Sequence, residues 1–96
     1  MTGLASSDEE PARIIADAVT ACPDVAALSR GPFGTVATYL PGGYVGGVAL
    51  RDDEVEVHVV ARYGPPVPRT AERVRDAVRP HAGDRAVHVV VDDIAS

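Results

Sequence analysis

Glu54-Val55-Glu56-Val57-His58-Val59-Val60-Ala61-Arg62 is the stretch that decides the fold. Val55, Val57, Val59 and Ala61 recur at every second position, and Glu56, His58, Val60 and Arg62 fill the places between. A period of two is the signature of a half-buried strand, because successive side chains leave a strand on opposite faces. One apolar face implies a core on that side. Gly64-Pro65-Pro66-Val67-Pro68 ends the strand and launches a helix, with Pro68 in the first turn, where its missing N–H is harmless. Ala71, Val74, Ala77 and Val78 form the buried stripe of that helix, and Glu72, Arg73, Arg75, Asp76 and Arg79 its wet side. Pro80 to Asp84 breaks it, and Ala86 to Asp93 follows as a last strand with Val87, Val89 and Val91 turned inward.

Upstream of the central strand the signals are shorter. Asp52-Asp53 is a turn, and Tyr44 to Arg51 reads as a strand weakened by Gly46 and Gly47, which mark a bulge or a close backbone approach. Pro41-Gly42-Gly43 is a turn, and Thr35 to Leu40 is a further strand with Val36, Thr38 and Leu40 on one face. Ser29 to Gly34 is a cluster of breakers. Val25 and Leu28 read as anchors of a short packed turn. Before it, residues 9–22 form a helix: Ser7 or Asp8 caps it, Glu9 and Glu10 suit its positive end, and Ile15, Ala18, Val19 and Cys22 share one face before Pro23 stops it.

The order is therefore α-β-β-β-α-β. It predicts an α+β fold, a single small sheet of three to four strands with two helices on one face. Residues 1–8 are expected to be a disordered N-terminus, and 9–94 a single domain. The opposite face of the sheet would carry Glu56, His58, Val60, Arg62, His88, Val90 and Asp92, a partly polar surface open to a partner.

Composition narrows the function. The chain has 96 residues, enough for one core. Hydrophobic residues make up 46% and aromatics only 4%, so Val, Ala, Ile and Leu must build that core. The net charge is -5, from 14 acidic and 9 basic residues, which disfavours binding to a phosphate backbone. Every basic residue is Arg, which reflects a GC-rich coding sequence. Cys22 is the single cysteine, so no intrachain disulfide forms. Nothing in the first thirty residues reads as a signal peptide, and the longest apolar run is too short to span a bilayer, so the cytoplasm is the expected compartment.

Four features invite chemical readings. His58 and His88, with Glu56 and Asp92 near them in the pattern, could ligate zinc if the two strands paired in one register. No HxH or HxxxH pair supports it, and exposed sheet histidines are the favoured reading. His81 sits at a helix C-terminus, an ordinary place for a polar cap. Cys22 lies on an apolar stripe and reads as a small buried hydrophobe. Gly31-Pro32-Phe33-Gly34 and Gly43-Tyr44-Val45-Gly46 both spell GxxG, the loop that clamps nucleotides in KH domains, but without its helical and basic setting. Asp52-Asp53 and Asp92-Asp93 read as solvated edges. No catalytic, cofactor or metal residue is assigned. A KH-like nucleic-acid module and a small metal-binding protein are the alternatives to an interaction protein.

Three segments carry a family resemblance. Ala12-Arg13-Ile14-Ile15-Ala16-Asp17-Ala18-Val19 with Cys22-Pro23-Asp24-Val25-Ala26-Ala27-Leu28 is similar to the first helix and following turn of the alkaline-shock and general-stress protein family, envelope-stress proteins found chiefly in Gram-positive bacteria. Glu54 to Arg62 with Tyr63-Gly64 resembles that family's most recognisable strand, and Val67-Pro68 with the last helix and strand resembles its closing half. The coverage is about Ala12 to Ile94, in the manner of a short actinobacterial-type member. The resemblance implies a cytoplasmic, non-enzymatic scaffold or interaction protein in cell-envelope homeostasis or stress response. It further implies a homo-oligomer, and for some members a small membrane-anchoring partner; the acidic charge, the lack of motifs and the short apolar runs add the expectation of no nucleic acid, no cofactor and no direct membrane insertion.

Overall fold

A computed structural model describes residues 8–96; of the expected disordered segment 1–8, all but Asp8 lies outside the described residues. The elements are α1 (Glu9–Thr20), β1 (Val25–Leu28), β2 (Ala37–Leu40), β3 (Gly43–Gly46), β4 (Val48–Leu50), β5 (Glu54–Arg62), α2 (Val67–Val78), a 3-10 turn (Arg79–His81) and β6 (Ala86–Ala95). This is the expected α+β fold and its order, with two refinements. Val25–Leu28 is a strand rather than a packed turn, because it pairs antiparallel with Val59–Ala61. The strand expected over Tyr44 to Arg51 is divided at Gly47 into β3 and β4. Gly47 has a φ of +85°, and a Cβ there would lie 2.9 Å from Leu28 Cβ and 3.0 Å from the carbonyl oxygen of Ser29. Only glycine takes this left-handed conformation at such close backbone range.

β5 is the centre of the sheet. Along one edge it pairs in parallel with β6 over its whole length. Along the other it pairs antiparallel with β4 at Val55–Val57 and with β1 at Val59–Ala61. His58 falls at the junction: its N–H donates to Gly47 O (3.0 Å), and its carbonyl accepts from Ser29 N–H (2.8 Å). The parallel pairing requires a crossover, which α2 supplies. β2 and β3 form a separate hairpin.

Both helices lie on the face of the sheet that carries Val55, Val57 and Val59, which are fully buried. From α1 come Ala12, Ile15 and Val19, and from α2 Thr70, Val74 and Val78. Aliphatic burial of this kind contributes about 1.5–3 kcal/mol per large side chain. Asp8 stands at the start of α1 without a side-chain capping bond, and the helix ends at Thr20, two residues before the expected Cys22. Asp24, buried before β1, accepts from Arg73 of α2 at 2.9 Å and ties helix to sheet. No helix among the described residues is long and apolar enough to cross a membrane.

Candidate functional site

On the sheet face away from the helices, Glu56 and His58 project from β5 and Asp92 from β6, as alternation predicts. The pairing of β5 with β6 runs Val59 opposite Val91, then Val60 opposite Asp93, so Asp92 is an extra residue at a bulge. A bulge re-aims a side chain, and Asp92 closes onto His58. Its Oδ2 and Oδ1 lie 2.9 and 3.1 Å from Nδ1 of the ring. Glu56 Oε2 lies 2.7 Å from the opposite nitrogen, Nε2. The network extends both ways. Ser29 Oγ donates to Asp92 Oδ2 at 2.8 Å, and Arg51 donates to Glu56 at 2.8 Å and to Glu54 at 3.0 Å.

His58 is only 6% exposed, which corrects the expectation of an exposed sheet histidine. The cause is the Ser29–Val36 loop, held down by Val36 N–H to Arg30 O (2.9 Å) and Gly47 N–H to Val36 O (2.8 Å). A Cβ on Gly31 would stand 3.4 Å from His58 Nδ1, so the loop backbone rests on the ring. Burial disfavours the imidazolium, but hydrogen bonds to Glu56 and Asp92, and their charges, outweigh it and raise the pKa of His58. The bonds to His58 and then Arg51 hold Glu56 below the usual carboxylate range.

A carboxylate on each ring nitrogen has a chemical consequence. The three side chains bridge through the ring instead of converging on a point. Among the described residues no three or more His, Cys, Asp and Glu are placed to hold a metal ion. His88 does not join His58; its Nε2 pairs with Glu54 Oε1 at 3.2 Å. Ser29 is hydrogen-bonded to the carboxylate rather than to the histidine, so His58 is not positioned as its base. Cys22 is half-buried, its Sγ 3.5 Å from Ala18 O, and burial first and the charge of Asp24 second raise its pKa despite Arg73. That setting is opposite to an activated thiolate. The first GxxG lies in the loop over His58, and the second forms β3 itself; neither joins two helices.

A second surface lies on the hairpin. Thr38 pairs with Val45 across β2 and β3, and both face inward; Thr38 Oγ1 donates to Val48 O at 2.7 Å. The next pair, Tyr39 and Tyr44, therefore faces outward, with ring centroids 6.2 Å apart and a tilt of 46°. The Arg30 guanidinium sits 4.4 Å from the centre of the Tyr44 ring. Gly46 makes room for it, since a Cβ there would meet Arg30 Cγ at 3.2 Å. One shallow depression is lined by Tyr44 with Arg13 and Asp17 of α1, and a second by Arg13, Asp17 and Ile14.

No family model, no curated protein and no solved structure matches the chain. The two surfaces differ in their chemistry. The histidine cluster is closed over and internally satisfied. The hairpin surface is open: Tyr39 and Tyr44 are exposed, as are Phe33 and Tyr63 elsewhere. The sequence places Tyr44 in a glycine-rich stretch but gives no sign of Arg30, whose position depends on the path of the loop.

Proposed function

We propose that this chain is a non-enzymatic interaction module that presents Tyr39, Tyr44 and Arg30 to a partner protein. The observation that carries this reading is the placement of the aromatic residues. All four, Phe33, Tyr39, Tyr44 and Tyr63, lie on the surface with 51–87% exposure, while the core is built of valine, alanine and isoleucine. Aromatic rings bury the most apolar area per residue, and a small domain ordinarily spends them inside. Tyrosine and arginine are also the side chains enriched at protein interfaces and their energetic centres. The acidic balance of the chain supports a protein partner over a nucleic acid.

The cellular setting follows from the resemblance carried by Ala12–Leu28, Glu54–Gly64 and the closing helix and strand. It is cell-envelope homeostasis or stress response, from the cytoplasm, with a small membrane protein as anchor. The test compares tagged wild type with a Tyr39→Ser/Tyr44→Ser variant on membrane and soluble fractions of the native host. The expected result is a small membrane protein recovered with wild type and lost with the variant, at unchanged melting temperature. Recovery of RNA alone, released by salt, would favour the KH-like alternative, and a partner held equally by both forms would sink the hairpin reading.

A further inference from the structure

The far edge of β6 is the second unsatisfied feature of the molecule. Among the described residues β6 pairs only with β5. Ala86 N–H donates to Asp53 O, on the β5 side. Backbone groups alternate sides along a strand, so Ala86, His88 and Val90 face β5, while the N–H and C=O groups of Val87, Val89 and Val91 face the free edge. The side chains of these three valines point to the helix side but stay half-buried at the rim of the core, in contrast to the fully buried Val55, Val57 and Val59 of β5.

Natural sheets guard such edges with charge, proline or a bulge. Here the guards stand at one end only. Asp92 occupies the bulge, and Asp93 Oδ1 accepts from Ile94 N–H at 2.8 Å, satisfying that amide in place of a strand. Between Val87 and Val91 there is no proline, no Asp, Glu, Lys or Arg, and one histidine, His88, which is drawn toward Glu54.

We infer that β6 pairs antiparallel with β6 of a second copy of this chain, about a two-fold axis at Val89. The segment is self-complementary in that register. Val89 faces Val89 of the other copy, and Val87 faces Val91 in both directions. All three are hydrogen-bonded positions of an antiparallel ladder, so every free backbone group from Val87, Val89 and Val91 finds its counterpart in the identical strand. The half-buried valines meet in pairs on the helix side and continue the core across the junction. On the other side His88 stands opposite Val90, which places no like charges against each other. Two sheets become one, and the bulge at Asp92 limits the ladder at each end. A heterologous strand would need the same apolar spacing; the identical chain has it by construction. This surface is separate from Tyr39 and Tyr44.

The test is concentration-dependent amide exchange with sedimentation of the 10.0 kDa chain. One strand edge is a small interface, for which a dissociation constant on the order of 100 µM is expected. At roughly 1 mM chain about a fifth of the protein is then monomer, and exchange at Val87, Val89 and Val91 slows about fourfold relative to roughly 10 µM. The amides of His88 and Val90 are protected at both concentrations. Val89→Pro removes an N–H that faces away from β5, so the variant keeps the pairing of β5 with β6 but sediments as a monomer. The Tyr39→Ser/Tyr44→Ser variant still dimerises. A chain that stays monomeric at 1 mM with Val89 unprotected, or a dimer that survives Val89→Pro, overturns the inference. Should Val89→Pro unfold, the exchange data on the wild type decide alone.

Discussion

Replacing His58 by Gln tests whether the Glu56–His58–Asp92 cluster is held by charge. Glutamine approximates the length of the ring but carries no charge and cannot donate to both carboxylates across the space the imidazole fills. His58 makes two hydrogen bonds to ionised partners, at 2.7 and 2.9 Å, with a side chain only 7% exposed. Each such bond contributes roughly 1.5–3 kcal/mol, and the cost of desolvating the imidazolium offsets part of the sum. Two carboxylates left without their shared cation then repel, relieved by Arg51 on one and Ser29 on the other. The expected loss near pH 6 is about 3 kcal/mol. For a domain of this size that lowers the melting temperature, followed by far-ultraviolet circular dichroism, by about 12–24 °C. The pH dependence carries the sign. The folded pKa of His58 is raised, so its contribution is complete below the unfolded value of 6.5 and is lost as pH rises through the folded value. The folded pKa of Glu56 is lowered, so its contribution is complete above the unfolded value of 4.5 and is lost as pH falls through the folded one. The gap between wild type and variant is therefore widest between about pH 5 and 6.5 and shrinks toward pH 9. A gap that is equal at pH 6 and pH 9, or smaller than about 1 kcal/mol at pH 6, would refute a charged cluster.

Two further substitutions probe packing. Gly47→Ala places a side chain on a backbone with a φ of +85° and against the Ser29 carbonyl; conformational strain and overpacking together cost about 2–5 kcal/mol, whereas Gly83→Ala, with open space around it, costs about 1–2 kcal/mol. Equal penalties at the two sites in a urea titration would remove the close approach from the explanation. Thr70→Val replaces a fully buried hydroxyl that has no hydrogen-bond partner with a methyl group of similar shape, and stabilises the chain by about 1 kcal/mol; a lower urea midpoint would show that the hydroxyl is paired after all.

The sequence carried some of these features openly and hid others for physical reasons. The alternation of Glu54 to Arg62 placed Val55, Val57 and Val59 inside and Glu56 and His58 together on the far face, and the β5–β6 pairing agrees. The paired glycines at 46 and 47 marked a real close approach. β1 was hidden because Val25-Ala26-Ala27-Leu28 is too short and too rich in helix formers to announce a strand; its conformation comes from pairing with β5. Thr70 is not legible as core because its hydroxyl reads as polar, although it occupies the buried stripe of α2 beside Val74 and Val78. The burial of His58 was illegible for a different reason. Alternation gives the face of a residue but not what lies over that face, and the cover comes from Ser29–Val36, far upstream. Ser29, Arg30 and Arg51 owe their roles to that same long-range path.

The outward placement of the tyrosines also has a spectroscopic consequence. The chain contains no tryptophan, and its three tyrosines are all exposed in the native fold, Tyr44 beneath the Arg30 guanidinium and beside Tyr39. Intrinsic emission and near-ultraviolet dichroism will therefore report the Tyr39–Tyr44 pair and its Arg30 neighbour rather than the packing of the valine core. The same signals will respond when a ligand covers the hairpin. In this protein the native chromophores report on the hairpin surface, and none of them lies in the interior.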